Sequence, residues 1–306
     1  MANNEFKVNN LAPQGLNLRS EPDPTQNNIL AVIPTGHKVK KLEDADVPNW
    51  WRVQTTLTGA TASGFVNKKF LSPADQVTEP EQSGVRACHL PTNGIAVTLQ
   101  NFRRAHPLTS EPPVKRRSDH PAGERVGAIR QLIDWFRVEN SPRYLPGGGN
   151  TFCNIYAYDY GYMTGAFIPR VWWDQAAILK LQAGQSVPVQ YDTTVDEITA
   201  NGLNSWFRDW GARFGWRRTL DLTELQNAAN DGRVCITVAR AKPQYHSGHG
   251  HIVAVVPETG PFVALRQNGK VIRTVQSQAG AHNQDYVVKR WWDDGTYADF
   301  GHWIHD

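Results

Sequence analysis

Three groups of residues in this chain could carry chemistry together. The first is a lone cysteine, Cys153, in Gly147-Gly148-Gly149-Asn150-Thr151-Phe152-Cys153-Asn154. A glycine run breaks there into a polar cap, and the cysteine follows at what reads as the first turn of a helix. Free N–H groups and the dipole at a helix start stabilise a thiolate, which is the reactive form of the side chain. The second group is a set of three histidines, His246, His249 and His251, around the start of a strand-like run His251-Ile252-Val253-Ala254-Val255-Val256. A cysteine nucleophile needs such a base within hydrogen-bond reach, and the base needs a third group to orient it. That third group is expected where the next strand ends, in Val275-Gln276-Ser277-Gln278-Ala279-Gly280-Ala281-His282-Asn283. Gln278 is the first choice, with Asn283 and His282 behind it. A neutral amide can accept from the imidazole N–H and so fix its tautomer. The three clustered histidines also raise a zinc reading, but no carboxylate or cysteine lies at matching short spacing, so no metal is expected.

The elements that must position these residues can be read from periodicity. Apolar positions 126, 129, 132, 133 and 136 make one stripe of a helix over 124–140, ended by Asn140-Ser141-Pro142. Phe152, Ile155, Tyr156 and Tyr160 share a face, which predicts a central helix from the cysteine onward. Shorter helices are predicted over 174–181, 204–214 and 220–230, followed by strands over 234–239, 251–256, 262–265 and 271–275. Helices first and antiparallel strands after is an α+β pattern. Cys235 lies in the β-branched strand and reads as core, and Cys88 lies in a linker-like stretch.

Composition narrows the function classes. Lys and Arg number 32 against 29 Asp and Glu, a formal charge of +3. That is too small for a dedicated nucleic-acid binder but would suit an anionic polymer. Three cysteines at wide spacing are not a disulfide framework. No apolar run approaches a membrane span. The stretch from Met1 shows no basic region followed by an apolar one, so no secretory signal is expected in it and delivery to an outside target would need another route.

Residues 1–75 read as short strands separated by turns. Residues 76–123, with Glu79-Pro80-Glu81-Gln82-Ser83-Gly84 and Glu111-Pro112-Pro113, read as a linker or an inter-domain arm, and Lys115-Arg116-Arg117 as a solvated charge run.

Two resemblances follow from these motifs. Leu16-Asn17-Leu18-Arg19-Ser20-Glu21-Pro22, the Pro34-Thr35-Gly36 turn, Trp50-Trp51-Arg52-Val53 and Gly64-Phe65-Val66 before Phe70-Leu71 resemble the bacterial SH3 (SH3b) family over residues 12–73. The likeness implies a targeting module that commonly recognises cell-wall peptides. Asn150-Thr151-Phe152-Cys153-Asn154 and Gly250-His251-Ile252-Val253-Ala254-Val255-Val256 resemble the NlpC/P60 and CHAP group of papain-like cysteine hydrolases over about residues 124–306. In that arrangement the cysteine starts the helix and the histidine sits on the facing sheet, a place His251 fits best and His249 second. The third position departs from the group, whose members tend to use His, Asn, Asp or Glu where this chain offers glutamine.

The implied architecture is a small all-β SH3b-like barrel (1–75) and an α+β papain-like catalytic domain (124–306). The implied activity is hydrolysis of an amide bond in peptidoglycan stem peptides through a thioester, with the backbone of Cys153 in the oxyanion site and no cofactor. Gly148, Gly149 and Asn150 would form one wall of a substrate cleft, and Tyr144, Tyr156, Trp172 and Trp173 are further lining candidates, although core packing is the commoner use of such aromatics. A catalytically silent peptide- or cell-wall-binding protein, and a protease or deamidase toxin acting on a protein, are the alternatives. Action is expected at the cell wall or in a target cell. The sequence does not give an oligomeric state.

Overall fold

A computed structural model describes residues 4–8, 15–24, 28–34, 36–57, 60–73 and 84–306. The expected turns at Thr35 and Thr58-Gly59, and linker residues 74–83, lie outside the described residues. The chain divides into two compact units, one of residues 1–82 with 208–213 and one of residues 83–207 with 214–306.

The first unit is a seven-stranded antiparallel sheet. Its strands are β1 (Glu5–Val8), β2 (Leu16–Arg19), β3 (Ile29–Ile33), β4 (Lys38–Asp44), β5 (Trp50–Leu57), β6 (Ala60–Asn67) and β7 (Leu71–Pro73), in the order β3-β2-β6-β5-β4-β1-β7. Register shifts at Leu18/Arg19 and Lys41/Glu43 bend the strands, as bulges do. The core gathers Val8, Leu16, Leu18, Ile33, Val39, Val53, Val66 and Leu71. Strand β1 is absent from the sequence expectation: Glu-Phe-Lys-Val is short and half charged, and its pairing with β4 and β7 makes it a strand.

The second unit puts helices on an antiparallel sheet. Helix α1 (Ala122–Phe136) buries Ala128, Ile129, Leu132, Ile133 and Phe136, the predicted stripe. It stops at Arg137, which takes a left-handed conformation (φ 46°) and returns its N–H to Ile133, five residues before Pro142 of the stretch expected to end it. Helix α2 (Cys153–Thr164) is buried on nearly every side and closes at Gly165. Next come β8 (Val171–Trp173), α3 (Gln175–Gln182), β9 (Val195–Glu197), α4 (Ala200–Asp209), β10 (Trp216–Thr219) and α5 (Leu222–Asn230). Helix α4 begins four residues before the predicted Asn204, and residues 211–214 leave it as a separate 3-10 turn.

The remaining strands are β11 (Val234–Ala241), β12 (His251–Val255), β13 (Leu265–Gln267), β14 (Lys270–Gln278), β15 (Gln284–Lys289) and β16 (Tyr297–His305). The sheet runs β10-β16-β11-β12-β14-β13, with β15 also on β14, while β8 and β9 pair separately. Helix α2 packs on β12 and β14, and α5 packs on β11, β14 and β16. Cys235 is wholly buried with Leu225, Val255 and Ile304, in the core role expected of it. The predicted strand over 262–265 is corrected: Phe262 closes a tight turn onto Thr259, and only Leu265 enters β13.

Residues 84–121 contain no helix or strand, yet they are built into the second unit. Arg86 Nη2 donates to the Val187 carbonyl over 2.8 Å and Cys88 Sγ to that of Val171 over 3.4 Å. Arg116 was expected in a solvated charge run. It is buried, with Nε donating to the Gly232 carbonyl at 2.9 Å, while only its neighbours Lys115 and Arg117 stay exposed. A guanidinium can be enclosed this way when carbonyls meet its donors.

Candidate active site

The glycine run folds as a tight turn. Gly147 and Asn150 exchange backbone hydrogen bonds of 3.1 and 3.0 Å, and Gly148 and Gly149 between them have φ of 59° and 78°. Two left-handed central residues are the signature of a type I′ turn, which side chains other than Gly, Asn or Asp rarely allow. The turn delivers the chain through Phe152 to Cys153, the first residue of α2. Its backbone N–H has no partner inside the helix.

Cys153 opens on a cavity of about 550 Å³ whose lining includes Gly149, Asn150, Arg104, Arg170, Glu197 and His249. The Arg104 guanidinium stacks 3.5 Å over the Phe152 ring and is anchored by the carbonyls of Arg143 and Pro142. Arg170 forms an ion pair with Glu197. Burial pushes the Cys153 thiol up to about 11, while backbone N–H groups of Ile252, Asn154 and Cys153 itself pull the other way. Helix α2 packs on β12, the strand that His251 opens.

His251 Nε2 lies 2.8 Å from Gln278 Oε1. The imidazole also meets the Trp291 ring edge-on at 4.7 Å, and a Cβ added to Gly280 would sit 3.3 Å from its Cε1. This enclosure drives its pKa down to about 4. The Gln278 hydrogen bond opposes the shift, and the charges of Lys289 and His246 add to it. Gly250 lets β12 start where it does: a Cβ there would be 2.4 Å from both the Ala239 carbonyl and Asn201 Oδ1.

The other candidates separate on contact. His249 is exposed and lines the cavity but does not share the Gln278 bond. His246 stacks on Tyr297 at 5.0 Å and bonds Thr296 Oγ1 at 2.7 Å. Asn283 is committed elsewhere: Oδ1 accepts from the Gly280 N–H, and Nδ2 donates to the Val138 and Tyr144 carbonyls. His282 is exposed, and its carbonyl accepts from Gln278 Nε2 at 3.4 Å.

The four aromatic lining candidates take the commoner, core-packing use, and Gly148 leaves the wall expected of it. Tyr144 is wholly buried and donates its hydroxyl to Asp159 over 2.9 Å. Tyr156 is buried and bonds Ser277 Oγ at 2.6 Å, tying α2 to β14. Trp172 is buried against Phe167, Trp206 and Phe214 at ring distances of 5.7 to 6.2 Å, and Trp173 is buried with its indole N–H on the Arg86 carbonyl. Gly148 shapes the turn without reaching the cavity wall, which Gly149 and Asn150 form.

Residues outside the sequence expectation also build the site. Trp291 flanks His251, and Tyr297 is close enough to feel the Cys153 charge. Both lie in a stretch with no motif. Among the described residues no cluster of three or more His, Cys, Asp or Glu is placed to hold a metal. No helix among them is long and apolar enough to cross a membrane.

No family model matches the chain, and no curated protein matches it. Among solved structures it is similar to NlpC1 from Trichomonas vaginalis, with TM-score 0.28 and 11% identity over 98% of this chain and 68% of that one. It is also similar to NlpC2 from the same organism, with TM-score 0.21 and 10% identity over 96% and 73% of the two chains. At such scores the likeness fixes neither fold nor activity.

Proposed function

We propose that this chain is a cysteine-dependent hydrolase of peptide or amide bonds, with Cys153 as nucleophile, His251 as base and Gln278 as orienting group. The observation that carries this reading is the 2.8 Å bond of His251 to Gln278, made from β12, the strand on which α2 and so its first residue Cys153 pack. Such a chain of nucleophile, base and orienter is what acyl transfer needs.

In this reading the Cys153 thiol and the His251 imidazole both rest neutral, because burial penalises either charged form. His251 Nδ1 takes the thiol proton as sulfur attacks the carbonyl carbon. The oxyanion is met by the backbone N–H of Cys153. Collapse breaks the C–N bond, and the amine leaves with the proton held by His251. Water, deprotonated by His251, then attacks the thioester carbonyl. The acid leaves and the thiol is restored.

The substrate class that fits best is a peptidoglycan stem peptide, an acidic peptide that suits a cavity wall bearing Arg103 and Arg104 beside the Arg170–Glu197 ion pair. The first unit would serve as the SH3b-like targeting module, which makes the pair a cell-wall hydrolase. Purified protein and Cys153→Ala are incubated with sacculi and the soluble muropeptides identified by mass spectrometry. Release by the wild type alone is expected, and the peptides name the bond. Equal release by both proteins would sink the catalytic assignment. Pelleting with sacculi without release by either would leave a binding protein.

A further inference from the structure

We propose that Lys289 and Gln284 are positioning residues that select the tautomer of His251, acting through Gln278. The argument is one of donors and acceptors. An ammonium only donates. Lys289 Nζ lies 2.7 Å from Gln284 Oε1, which fixes that atom as the carbonyl oxygen. The same oxygen lies 3.0 Å from Gln278 Nε2, and the His282 carbonyl is 3.4 Å from it. Two acceptors therefore face the Gln278 amide nitrogen, which turns Gln278 Oε1 toward His251. An oxygen that only accepts requires N–H on His251 Nε2, 2.8 Å away, and leaves the lone pair of the neutral ring on Nδ1.

The reversed network explains why Lys289 matters. Flip both glutamines and every side-chain bond between Gln284, Gln278 and His251 can form again, with the proton on Nδ1. An imidazole protonated there has no lone pair on Nδ1 to accept a thiol proton. Two amides alone cannot choose between these arrangements, and the His282 carbonyl opposes the flip only through one long contact of 3.4 Å; a cation at the end of the chain fixes the choice. Lys289 and Gln284 are the last and first residues of β15, and Gln284 pairs with Gln278 across the β14–β15 ladder, so the selecting element belongs to the sheet itself. The groups facing His251 from other elements are His246, Trp291 and Gln278. None of the three supplies a fixed donor at the far end of the chain.

The inference rests on the hydrolase reading for its consequence but not for its test. The full chain is labelled with ¹⁵N at histidine, and the His251 signals are assigned by their loss in His251→Gln. Long-range ¹H–¹⁵N spectra then show which ring nitrogen carries the proton. The wild type is expected to show pyrrole-type Nε2 and pyridine-type Nδ1. Lys289→Met is expected to show a mixture of both tautomers, with kcat falling ~10-fold at unchanged KM, the scale on which outer-shell partners act. Lys289→Arg is expected to restore the single tautomer. The double variant Gln284→Glu, Lys289→Met should restore it too, since a carboxylate offers no donor face to Gln278. An unmixed Nε2–H tautomer in folded Lys289→Met would overturn the proposal, as would failure of the double variant to restore it. A tautomer shift without any hydrolysis by the wild type would keep the relay and remove the hydrolase.

Discussion

Gln278 Oε1 accepts from His251 Nε2 over 2.8 Å, at a point where the imidazole is closed in by Trp291 and Gly280. A ring held this way has one nitrogen committed and one free. Its direct partner is an amide and not a carboxylate, and that separates the effects of losing the bond from those of adding a charge.

Replacing Gln278 by Leu removes the acceptor and leaves an enclosed N–H without a partner. We expect kcat to fall ~10²-fold with KM little changed, within the range general-base catalysis contributes. Gln278→Glu keeps the acceptor and brings an opposite charge, which favours imidazolium. Its activity should persist, with the acid limb of the pH–rate profile moved upward. Steady-state kinetics on a muropeptide from pH 4 to 10 checks both, and an unmoved acid limb in the glutamate variant would place the charge elsewhere.

The wild-type pH dependence should be broad. His251 is pushed down to about 4 and Cys153 up to about 11, both chiefly by burial. The base is then available over the whole neutral range, and kcat/KM should decline only as pH approaches 4. Iodoacetamide should alkylate Cys153 slowly at pH 7 and faster as pH rises toward 11, because the thiol and not the thiolate is the resting form. The sign for stability follows from the same shift. The folded-state pKa of His251 lies below its ordinary 6.5, so the unfolded chain binds more protons between those values. The contribution is whole above about 6.5 and is lost as pH falls toward 4. An acid limb near 6.5 would show an imidazole open to water.

The settings of Cys153 at a helix start and of His251 and Gln278 on neighbouring strands were legible because each announces itself locally. A glycine turn before a polar cap, a histidine opening an apolar run and a polar residue closing the next strand are all short-range signals. Helix α1 and the central strands were legible for the same reason. Strand β16 was not: Tyr297–His305 carries Asp299, Gly301 and two histidines, yet it lies between β10 and β11 with residues 301–304 buried. Its place in the middle of the sheet, and not its composition, makes it a strand. Lys289 and Gln284 carry no local signal in the sequence, since they meet Gln278 only when β15 lies on β14. The choice between cleft and core for Tyr144 had no local signal, because its neighbours are a loop while its partner Asp159 is a helical carboxylate fifteen residues on.

Gly250 is a second place where backbone contact governs the site. Alanine there would set its Cβ 2.4 Å from the Ala239 carbonyl and from Asn201 Oδ1, which itself accepts from the Ala241 N–H. Neither neighbour can retreat cheaply, so the start of β12 must move and carry His251 with it. Gly250→Ala should cost about 1–3 kcal/mol of stability, as overpacking does. A shift of about 1 Å at the base would lower kcat ~10²-fold. Chemical denaturation and kinetics on the same preparation test this, and a variant of native stability and activity would show that the loop absorbs the methyl group.

The buried ion pair of Arg143 and Asp159 yields the prediction that best separates core from cleft. The guanidinium meets the carboxylate through two bonds of 2.6 and 3.0 Å, and its remaining donors reach the carbonyls of Arg103 and His106 at 3.0 Å each. Tyr144 completes the carboxylate with its hydroxyl. Asp159→Asn leaves the guanidinium without its counter-charge in the interior, at a cost of about 3–5 kcal/mol. Tyr144→Phe removes one hydrogen bond and should cost about 1–3 kcal/mol, because it takes a partner from a buried carboxylate. Replacing both charged residues by apolar ones would not be neutral here, since two carbonyls would lose their donors. If Tyr144 belongs to the core, Tyr144→Phe lowers the urea midpoint while kcat/KM on a muropeptide stays within twofold, a span of about 0.4 kcal/mol. A variant with an unchanged midpoint and a raised KM would return Tyr144 to the substrate cleft.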